Sequence, residues 1–275
     1  ISYRLVGSEM CIRDSIGMEL CKIYSGQSRT KNITVIDNKF HSSRVEQLKR
    51  WGIKYRQIDI LDSNNLNKEI NDADIIYHLA GISDVATVKE DININHEKLV
   101  FAVGVEGTRN IINLSSESAK IVFPSTHVIF EGLKKVKFNI DETHEPSPVL
   151  DYAKGKLESE NDLIKSNKNF VILRLGSLYG KSFDSTRLNI MPNLFAKISS
   201  FNGKITLYSG GKQLKSLVSI NDVVRCMEFV GENKKINKEI FNCVNENLSV
   251  KDVADLCKKI NKKTDLVITD DPVPN

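Results

Sequence analysis

Apolar runs that suit β-strands alternate with amphipathic stretches that suit helices over most of this chain. The strand-like runs cover residues 32–37, 54–60, 74–80, 120–126 and 169–176. The helical patterns between them cover residues 41–51, 95–118 and 151–166. These connections are long enough to be right-handed helical crossovers between parallel strands. The alternation therefore predicts an α/β fold with a Rossmann-type, doubly wound parallel sheet.

After Gly180 the pattern is mixed. It predicts helices near residues 189–200, 221–231 and 249–264, and strands at 205–210 and 241–244. We therefore expect a Rossmann domain over residues 16–180 and a smaller, substrate-binding C-terminal lobe over residues 181–275. Some elements of this lobe are expected to pack back onto the sheet.

Both ends of the chain look unlike the rest. The segment LVGSEMCIRDS within residues 1–15 resembles translated sequencing-adapter read-through. We expect residues 1–15 to be non-native and to lie outside the fold, which would leave the first strand and its glycine turn incomplete. The other end stops soon after the strand-like DLVITD, without a closing helix. We therefore expect the natural protein to be longer at both ends.

Composition excludes several classes of protein. Apolar residues make up 40% and charged residues 27%, and the net charge of +4 comes from interleaved basic and acidic residues. A nucleic-acid binder would concentrate its basic residues in a stripe, and a membrane span needs about 18 consecutive apolar residues. The sequence has neither feature, so we expect a cytoplasmic enzyme with no nucleic-acid or membrane partner.

The cysteines do not suggest a metal or redox motif. They are Cys11, Cys21, Cys226, Cys243 and Cys257. None forms a CxxC pair, and no histidine stands at metal-ligand spacing. We expect buried, reduced thiols and no metal.

A tyrosine and a lysine form a YxxxK pattern in the predicted helix DYAKGKLESE. Tyr152 and Lys156 are four residues apart, so a helix presents both on one face. The pattern is weak alone, and Tyr208 and Lys212 form a second match. Two glycines inside that second match argue against a helix there. We therefore favour Tyr152 and Lys156.

The surroundings of Tyr152 make the pattern specific. A strand ending in PSTHVIFEG and an acidic loop, DETHEPSP, precede its helix. The stretch from Ser125 to Glu160 resembles the extended short-chain dehydrogenases/reductases, in which the strand supplies a Ser or Thr and the next helix supplies YxxxK. The resemblance implies that Thr126, Tyr152 and Lys156 are catalytic and that the cofactor is NAD.

The chemistry of these residue types agrees with that role. A free phenol is a poor base at neutral pH, but an adjacent ammonium group and the positive nicotinamide ring favour the phenolate. Tyr152 would then take a proton from a sugar hydroxyl while hydride leaves its carbon for NAD. Lys156 would also hold the nicotinamide ribose, and Thr126 would orient the reacting oxygen.

The sequence also predicts cofactor-binding residues at the ends of other strands. Asp37 ends an apolar strand about 20 residues after Gly17, where a carboxylate can bind the adenosine ribose hydroxyls and repel a 2′-phosphate. This favours NAD over NADP, although Lys39 lies next to that position. Gly17 resembles the last glycine of the family's GxxGxxG turn. The other family-like cofactor residues are Asp59, Ile60, Leu79, Ala80 and Gly81.

The resemblance extends over nearly all of residues 16–275 and is nearest to enzymes resembling UDP-galactose 4-epimerase. It implies a nucleotide-sugar substrate contacted by Ser177, Asn189 and Lys215, besides Thr126. Asn189 could instead cap a helix, and Lys215 could be a solvated lysine. Ser177 and Lys215 replace the Asn and Arg that are common there, and Gly104 also replaces an Asn.

The expected activity is NAD-dependent 4-epimerisation of a nucleotide sugar, an isomerase reaction. Two alternatives stay open. The string STHVIFEG also resembles dTDP-4-dehydrorhamnose reductases, which would make the protein an NAD(P)-dependent ketosugar reductase or dehydrogenase. A nonenzymatic dinucleotide-binding regulator is the other. Dehydration is disfavoured because His127 and Val128 stand where 4,6-dehydratases carry Asp and Glu. The sequence does not identify the sugar or the nucleotide, and it leaves a homodimer open.

Overall fold

The computed structural model describes residues 1–7, 16–82, 94–133, 137–183 and 186–272. The first half contains β1 (Tyr3–Val6), α1 (Ile16–Gly26), β2 (Ile33–Asp37), α2 (Ser42–Arg50), β3 (Lys54–Gln57), α3 (Ser63–Ile70), β4 (Ile75–His78), α4 (Ile94–Phe101), α5 (Gly107–Leu114) and β5 (Lys120–Thr126). A π-helical turn, Ala102–Glu106, joins α4 to α5. The second half contains α6 (Asp151–Lys165), β6 (Asn169–Leu175), β7 (Ser177–Tyr179), α7 (Met191–Ser200), β8 (Lys204–Leu207), β9 (Leu214–Ser219), α8 (Ile220–Glu232), β10 (Glu239–Cys243), β11 (Glu246–Ser249), α9 (Val250–Ile260) and β12 (Asp265–Ile268).

The large sheet confirms the predicted fold class. Its seven strands lie in the order β10-β6-β5-β4-β1-β2-β3, and every pairing in it is parallel. The order reverses between β1 and β4, which is the switch point where doubly wound sheets bind their ligands. Apolar residues of α1 and α8 cover one face of the sheet, and those of α3, α5 and α6 cover the other.

The N-terminal residues differ from the sequence-based expectation. Residues 3–6 form β1, which pairs with β2 on one side and β4 on the other, in the middle of the sheet. Leu5 and Val6 are fully buried against opposite faces. An apolar strand covered on both faces is what a central parallel strand requires, so YRLV suits this position. The first strand is thus present, while residues 8–15 lie outside the described residues.

Two further expectations need correction. The run at 54–60 continues as strand only to Gln57, and the polar stretch after it forms α3, which the apolar pattern missed. Asp62 caps this helix by accepting a hydrogen bond from the Asn65 amide at 3.2 Å. The long pattern at 95–118 is interrupted by the π-helical turn at Gly104. Glycine has little helical preference, so the local winding is set by tertiary packing.

Some C-terminal elements form a separate small core, and others join the large sheet. β7, β9 and β11 form a small sheet, β8 pairs with β12, and α7 and α9 pack against them around a third core. β10 instead joins the large sheet beside β6, and α8 covers that sheet. The expected return of C-terminal elements to the sheet is thus confirmed. Within the described part of the chain, no helix is long and apolar enough to cross a membrane.

The cysteines only partly match the expected buried thiols. Cys21 is buried in α1, whereas Cys226, Cys243 and Cys257 are half-buried, and all four are free thiols. Cys11 lies outside the described residues. The described residues contain no group of three or more His, Cys, Asp or Glu side chains that could hold a metal.

Candidate active site

The carboxyl ends of the central strands bring the predicted catalytic residues to one edge of the sheet. Thr126 is the last residue of β5 and is buried. Its Oγ1 accepts a hydrogen bond from the Val128 amide at 3.2 Å, which fixes the side chain at the start of a short 3₁₀ turn. The hydroxyl hydrogen is not used in this contact, so Thr126 can still donate to a substrate oxygen.

The helix that carries YxxxK begins at Asp151, as predicted, and packs against β5. Tyr152 is half-buried in its first turn, and Lys156 is buried one turn later. The Lys156 Nζ donates to the Pro124 carbonyl oxygen at 2.9 Å and lies 4.4 Å from the centre of the Phe123 ring. The lysine ammonium is thus fixed at the end of β5.

The residues that follow β4 also lie close to Lys156. Leu79 and Ala80 are buried after this strand, and the Leu79 amide donates to the Val6 carbonyl oxygen of β1 at 2.8 Å. A Cβ added to Gly81 would lie 3.6 Å from Lys156 Nζ. The three residues predicted to line the cofactor therefore lie between β1 and α6.

The histidine in β4 is a packing residue. His78 is fully buried, with Nε2 2.8 Å from Thr108 Oγ1 and its ring 5.3 Å from that of Phe123. Burial, with a smaller contribution from the Lys156 charge, lowers the pKa of His78 to about 3. A histidine held neutral between the Thr108 hydroxyl and the Phe123 ring contributes to the core.

The predicted adenosine end lies at the other side of the switch point. Asp37 ends β2, is buried, and accepts a hydrogen bond from the Lys39 amide at 2.8 Å through Oδ1. Burial raises the pKa of Asp37 to about 6, and the nearby Asp59 carboxylate adds to the increase. The Lys39 amide and the Arg44 charge act in the opposite direction.

Asp59 and Ile60 follow β3, next to Asp37. The Asp59 carboxylate accepts hydrogen bonds from the Leu61 amide at 2.9 Å and from Asn38 Nδ2 at 3.3 Å. Ile60 is buried, and its carbonyl oxygen accepts from Asn110 Nδ2 at 2.9 Å. These hydrogen bonds hold Asp59 and Ile60 in place near the Asp37 carboxylate.

Several buried side-chain atoms in the described residues have no hydrogen-bond partner, and two of them lie next to residues predicted to bind the cofactor or to be catalytic. They are Asn38 Oδ1, beside Asp37, and Ser125 Oγ, one residue before Thr126. Buried polar atoms normally have a hydrogen-bond partner, so such atoms mark places where a ligand can supply it. The predicted residues thus fit a dinucleotide, with its adenosine at Asp37 and its nicotinamide near Lys156.

The segment expected to bind the pyrophosphate of the cofactor lacks part of the family's glycine pattern. Gly7 directly follows β1 and its amide donates to the Ile36 carbonyl oxygen at 2.7 Å, while Gly17 is buried in the first turn of α1. Residues 8–15 between them lie outside the described residues. The sequence between Gly7 and Gly17 contains no glycine, whereas a pyrophosphate needs close backbone approach at this turn.

The predicted substrate residues lie in the C-terminal elements. Ser177 begins β7 and is half-buried, Lys215 is exposed on β9, and Asn189 is exposed in a turn before α7. The residue that caps α7 is Ile190, without a side-chain hydrogen bond, so Asn189 is not a helix cap. Ser177 pairs with Leu217, two residues after Lys215, which brings these two strands together.

Sequence reasoning used His127, which follows Thr126, only as evidence against dehydration and as part of the reductase-like string, and it missed the contacts of its side chain. Its Nδ1 lies 2.9 Å from the Leu175 carbonyl oxygen. Because a carbonyl can only accept, Nδ1 carries the hydrogen and Nε2 of the neutral ring is an acceptor. Burial lowers the pKa of His127, and the charge of Lys215 contributes in the same direction. No spacing rule in the sequence could have revealed a contact that depends on two adjacent strands.

His127 also lines a cavity of about 610 Å³, a size that suits a small ligand. The cavity is bounded by the turn after β5 and by parts of β6, β9, β10 and β11. Its polar lining residues include His127, Glu131, Lys137, Arg174, Ser216 and Asn242. Tyr152, Lys156 and Lys215 do not line it, so this cavity begins next to Thr126 but does not contain the predicted catalytic pair or Lys215.

Asn193 is the other residue that the sequence did not indicate. It is buried in α7, and its Oδ1 accepts from the Gly180 amide at 2.9 Å while its Nδ2 donates to the Arg187 carbonyl oxygen at 2.9 Å. The side chain therefore ties the end of β7 to the segment that carries Asn189.

Comparison with known proteins identifies the family. A profile described as the NAD dependent epimerase/dehydratase family matches residues 14–243. The chain belongs to this family. Its members are enzymes, and NAD is their cofactor. The family membership confirms the resemblance drawn from Thr126, Tyr152 and Lys156 in the sequence.

Individual relatives are distant. A UDP-N-acetyl-alpha-D-glucosaminuronate decarboxylase of Bacillus cytotoxicus is 24% identical over 81% of this chain and 70% of its own length. An N-acetyl-alpha-D-glucosaminyl-diphospho-ditrans,octacis-undecaprenol 4-epimerase of Escherichia coli O157:H7 is 26% identical over 74% of this chain and 60% of its own length. The chain thus spans less than two thirds of the second relative.

Solved structures support the fold. A UDP-glucose 4-epimerase of Thermotoga maritima, solved with UDP-glucose, superposes with a TM-score of 0.77 at 19% identity, covering 98% of this chain and 86% of that one. A UDP-glucuronic acid 4-epimerase of Bacillus cereus, solved with UDP-glucuronic acid and NAD, has a TM-score of 0.78 at 22% identity, covering 98% and 87%. At these identities the likeness establishes the fold alone.

Proposed function

We propose that this chain is an NAD-dependent nucleotide-sugar epimerase that inverts a sugar carbon, with C4 as the reacting position. The observation that carries the proposal is the position of Lys156. Its ammonium group lies at the joint carboxyl ends of β4 and β5, held by the Pro124 carbonyl, with Tyr152 one helical turn before it and Thr126 two residues after Pro124. This arrangement supports proton transfer at a hydroxyl beside a nicotinamide.

In the proposed reaction, NAD supplies a reversible hydride acceptor. The Tyr152 oxygen removes the proton from the sugar hydroxyl and returns it after the sugar has presented its other face. The Lys156 charge stabilises the tyrosine anion and its ammonium protons bind the nicotinamide ribose. The Thr126 hydroxyl donates to the reacting oxygen and keeps it in line with Tyr152.

The nucleotide part of the substrate is assigned to the C-terminal strands. We propose that Lys215 contacts the diphosphate and that Ser177 and Asn189 contact the sugar nucleotide. Support comes from the pairing of β7 with β9, in which Ser177 lies opposite Leu217, two residues after Lys215. A lysine binds phosphate as a point charge, so this contact is less directional than an arginine contact would be. The cytoplasmic location and the homodimer stay predictions from the sequence.

A ketosugar-nucleotide reductase is the second candidate. The observation that favours it is the string STHVIFEG, whose His127 places an imidazole acceptor directly after Thr126. A reductase and an epimerase share the Tyr152 chemistry and differ in whether hydride returns to the same substrate molecule. A regulator without catalysis is disfavoured because Thr126, Tyr152 and Lys156 are all present.

The proposal is tested by incubating the purified chain with NAD and a series of UDP- and dTDP-hexoses and following both C4 epimers by NMR. We expect interconversion of at least one pair. Tyr152→Phe should reduce the rate by about 10²–10⁴-fold, because the proton-transferring oxygen is lost while the ring remains.

Tyr208→Phe is the matched control, because Tyr208 also stands four residues before a lysine but lies in a glycine-containing turn. It should leave the rate unchanged. A Tyr152→Phe rate within about threefold of the parent would contradict the assignment of Tyr152.

A further inference from the structure

The two most exposed large apolar side chains of the described residues lie at one end of the C-terminal lobe. Phe201 directly follows α7 and is 76% exposed, and Ile260 is the last residue of α9 and is 87% exposed. Single exposed apolar residues are ordinary on protein surfaces, whereas exposed apolar residues that lie together mark interaction sites. Neither residue belongs to the candidate active site.

The two residues are 59 positions apart in the sequence, but hydrogen bonds hold the ends of their helices together. Asn261 Nδ2 donates to Asn202 Oδ1 at 2.9 Å and to the Ser199 carbonyl oxygen at 2.6 Å. The buried hydroxyl oxygens of Ser199 and Thr264 lie 2.6 Å apart. The exposed apolar pair therefore stands on an ordered joint between α7 and α9.

The same end of the lobe is basic. Neither residues 191–204 nor residues 256–264 include an aspartate or a glutamate. Lys251, earlier in α9, is paired with Asp255, and the next acidic residue is Asp265. The lysines of the two segments are all exposed, and with Phe201 and Ile260 we call them the basic tip: Lys197, Lys204, Lys258, Lys259, Lys262 and Lys263.

The chemistry of the basic tip favours one class of partner. Lysines around exposed apolar side chains suit an anionic lipid surface, because the ammonium groups attract the headgroups while the apolar side chains enter the interface. A single-stranded nucleic acid would need aromatic stacking partners, and Ile260 has no ring. A second copy of the chain would bring the same lysines face to face, and like charges repel.

We propose that the basic tip binds the surface of an anionic lipid bilayer. The proposal departs from the sequence-based expectation of no membrane partner, which considered only continuous runs of residues. The basic tip forms from two separate segments, and only when α7 and α9 pack together. Binding at a membrane surface needs no membrane-spanning helix.

The experiment is cosedimentation of the full chain with phosphatidylcholine vesicles, with and without about one third phosphatidylglycerol. We expect binding to the anionic vesicles only, and at least about tenfold weaker binding when the salt is raised from about 0.1 M to about 1 M. No NAD or sugar nucleotide is present, so the result does not depend on the proposed epimerase activity.

Charge reversal tests the lysines of the basic tip. Lys262→Glu combined with Lys263→Glu should weaken binding to anionic vesicles at least about tenfold. The matched control is Lys234→Glu combined with Lys235→Glu, an exposed pair after α8 that makes the same change in net charge. This control should weaken binding less than about threefold, because its charges lie away from the lipid surface.

The apolar contribution is tested at constant charge. Phe201→Ser should weaken binding about tenfold, because the ring no longer enters the interface. Phe229→Ser is the matched control, since Phe229 is also well exposed, at 60%, but lies on α8. It should bind like the parent. Circular dichroism of each variant checks that the fold is unchanged.

A footprint of the parent chain tests the surface without any substitution. Anionic vesicles should protect Lys262 and Lys263 from acetylation, read by peptide mass spectrometry, and should leave Lys234 and Lys235 reactive. The proposal is overturned if the parent does not bind anionic vesicles, or if the two charge reversals weaken binding equally. It is also overturned if single-stranded RNA, or a high concentration of the chain alone, gives this footprint and vesicles do not.

Discussion

Asp37 combines two properties that rarely occur together at a strand end. It is 3% exposed, and burial raises its pKa to about 6 from the usual 3.8. A ribose hydroxyl can donate to the carboxylate but gains less from the protonated acid, which keeps one oxygen occupied by its own hydrogen. NAD binding should therefore be linked to the ionisation of Asp37.

We predict that NAD affinity falls as the pH is lowered through 6. If NAD binds the ionised form, its dissociation constant at pH 5 should be about tenfold higher than at pH 7, because most of the free protein is protonated at pH 5. Isothermal titration calorimetry measures this directly. Asp37→Asn should bind NAD weakly and with little pH dependence. Equal affinity of the parent at pH 5 and pH 7 would contradict this role.

The same residue should select the cofactor. A 2′-phosphate would meet the Asp37 carboxylate, so we expect NADP to bind more weakly than NAD at pH 7. The comparison is a second titration on the same sample. Similar dissociation constants would mean that Lys39 or Arg44, both near this carboxylate, compensates for the repulsion.

The positions of individual residues could be predicted from the sequence where a short local pattern marks them. Asp37 ends an apolar strand, and Tyr152 and Lys156 share a helix face, so their positions follow from short spacings. His127 and Asn193 were not predictable, because their hydrogen bonds to Leu175, Gly180 and Arg187 depend on how distant elements pack. The catalytic and cofactor roles of Asp37, Tyr152 and Lys156 remain predictions, as do the substrate roles of Ser177, Asn189 and Lys215.

At the scale of elements, a buried ion pair joins β6 to α6. Arg174 donates to Glu160 through Nε at 3.2 Å and Nη2 at 2.8 Å, and the two side chains are 5% and 0% exposed. The Arg174 Nη1 also donates to the Glu142 carbonyl oxygen at 3.1 Å. Arg174 therefore attaches both α6, which carries Tyr152 and Lys156, and the loop before it to the sheet.

We predict that Glu160→Gln lowers the free energy of unfolding by about 3–5 kcal/mol, because it leaves the Arg174 charge buried without its counterion. Urea denaturation followed by circular dichroism measures the change. Glu46→Gln is the matched control, since its pair with Arg50 is well exposed and should contribute less than about 1 kcal/mol. Similar losses in both variants would show that Arg174 is stabilised by other groups.

The turn between β1 and α1 gives a prediction about the cofactor. Because Gly7 directly follows β1, replacing the residues between Gly7 and Gly17 with five residues that carry a central glycine would create the GxxGxxG spacing. Backbone amides could then approach the pyrophosphate. We expect NAD to bind at least about tenfold more tightly, since a hydrogen bond to a charged group contributes about 1.5–3 kcal/mol.

The control for this turn is the same replacement with alanine at the central position, which should restore the length without the close approach. Calorimetric titrations of the parent and both variants give the comparison. If the parent binds NAD as tightly as the glycine variant, the residues from Ser8 to Ser15 already support the pyrophosphate, and their interpretation as adapter-derived sequence is wrong.

Most elements could be predicted because buried parallel strands are short apolar runs and the crossovers are amphipathic. The predicted strands at 32–37, 120–126 and 169–176 agree with β2, β5 and β6 within one residue at each end. α3 was missed because Leu66 and Ile70 alone mark its buried face. β1 was missed for another reason: Leu5 and Val6 belong to the segment that resembles adapter sequence, so residues 1–15 were expected to lie outside the fold.

At the scale of the whole molecule, the C-terminal residues contribute strands to both the large sheet and the small sheet. β10 adds the seventh strand to the large sheet, while β7, β9 and β11 form the small sheet beside it. A sugar nucleotide bound between Lys215 on the small sheet and Thr126 on the large one would span both. This arrangement supports a reaction in which the substrate stays bound at one end while its sugar changes orientation.

The fate of the transferred hydrogen is the central difference between an epimerase and a reductase or dehydrogenase. In the proposed reaction, the hydrogen that leaves the sugar carbon returns to the same molecule without exchange with water. A dehydrogenase would instead release the hydrogen with the reduced cofactor, in proportion to the product formed.

The decisive measurement uses a nucleotide hexose deuterated at C4, incubated with the chain and NAD, with both epimers analysed by NMR and mass spectrometry. The account predicts that deuterium is retained at C4 in both epimers, with no net accumulation of NADH. Loss of deuterium from the product, or NADH formed in proportion to the sugar consumed, would contradict it.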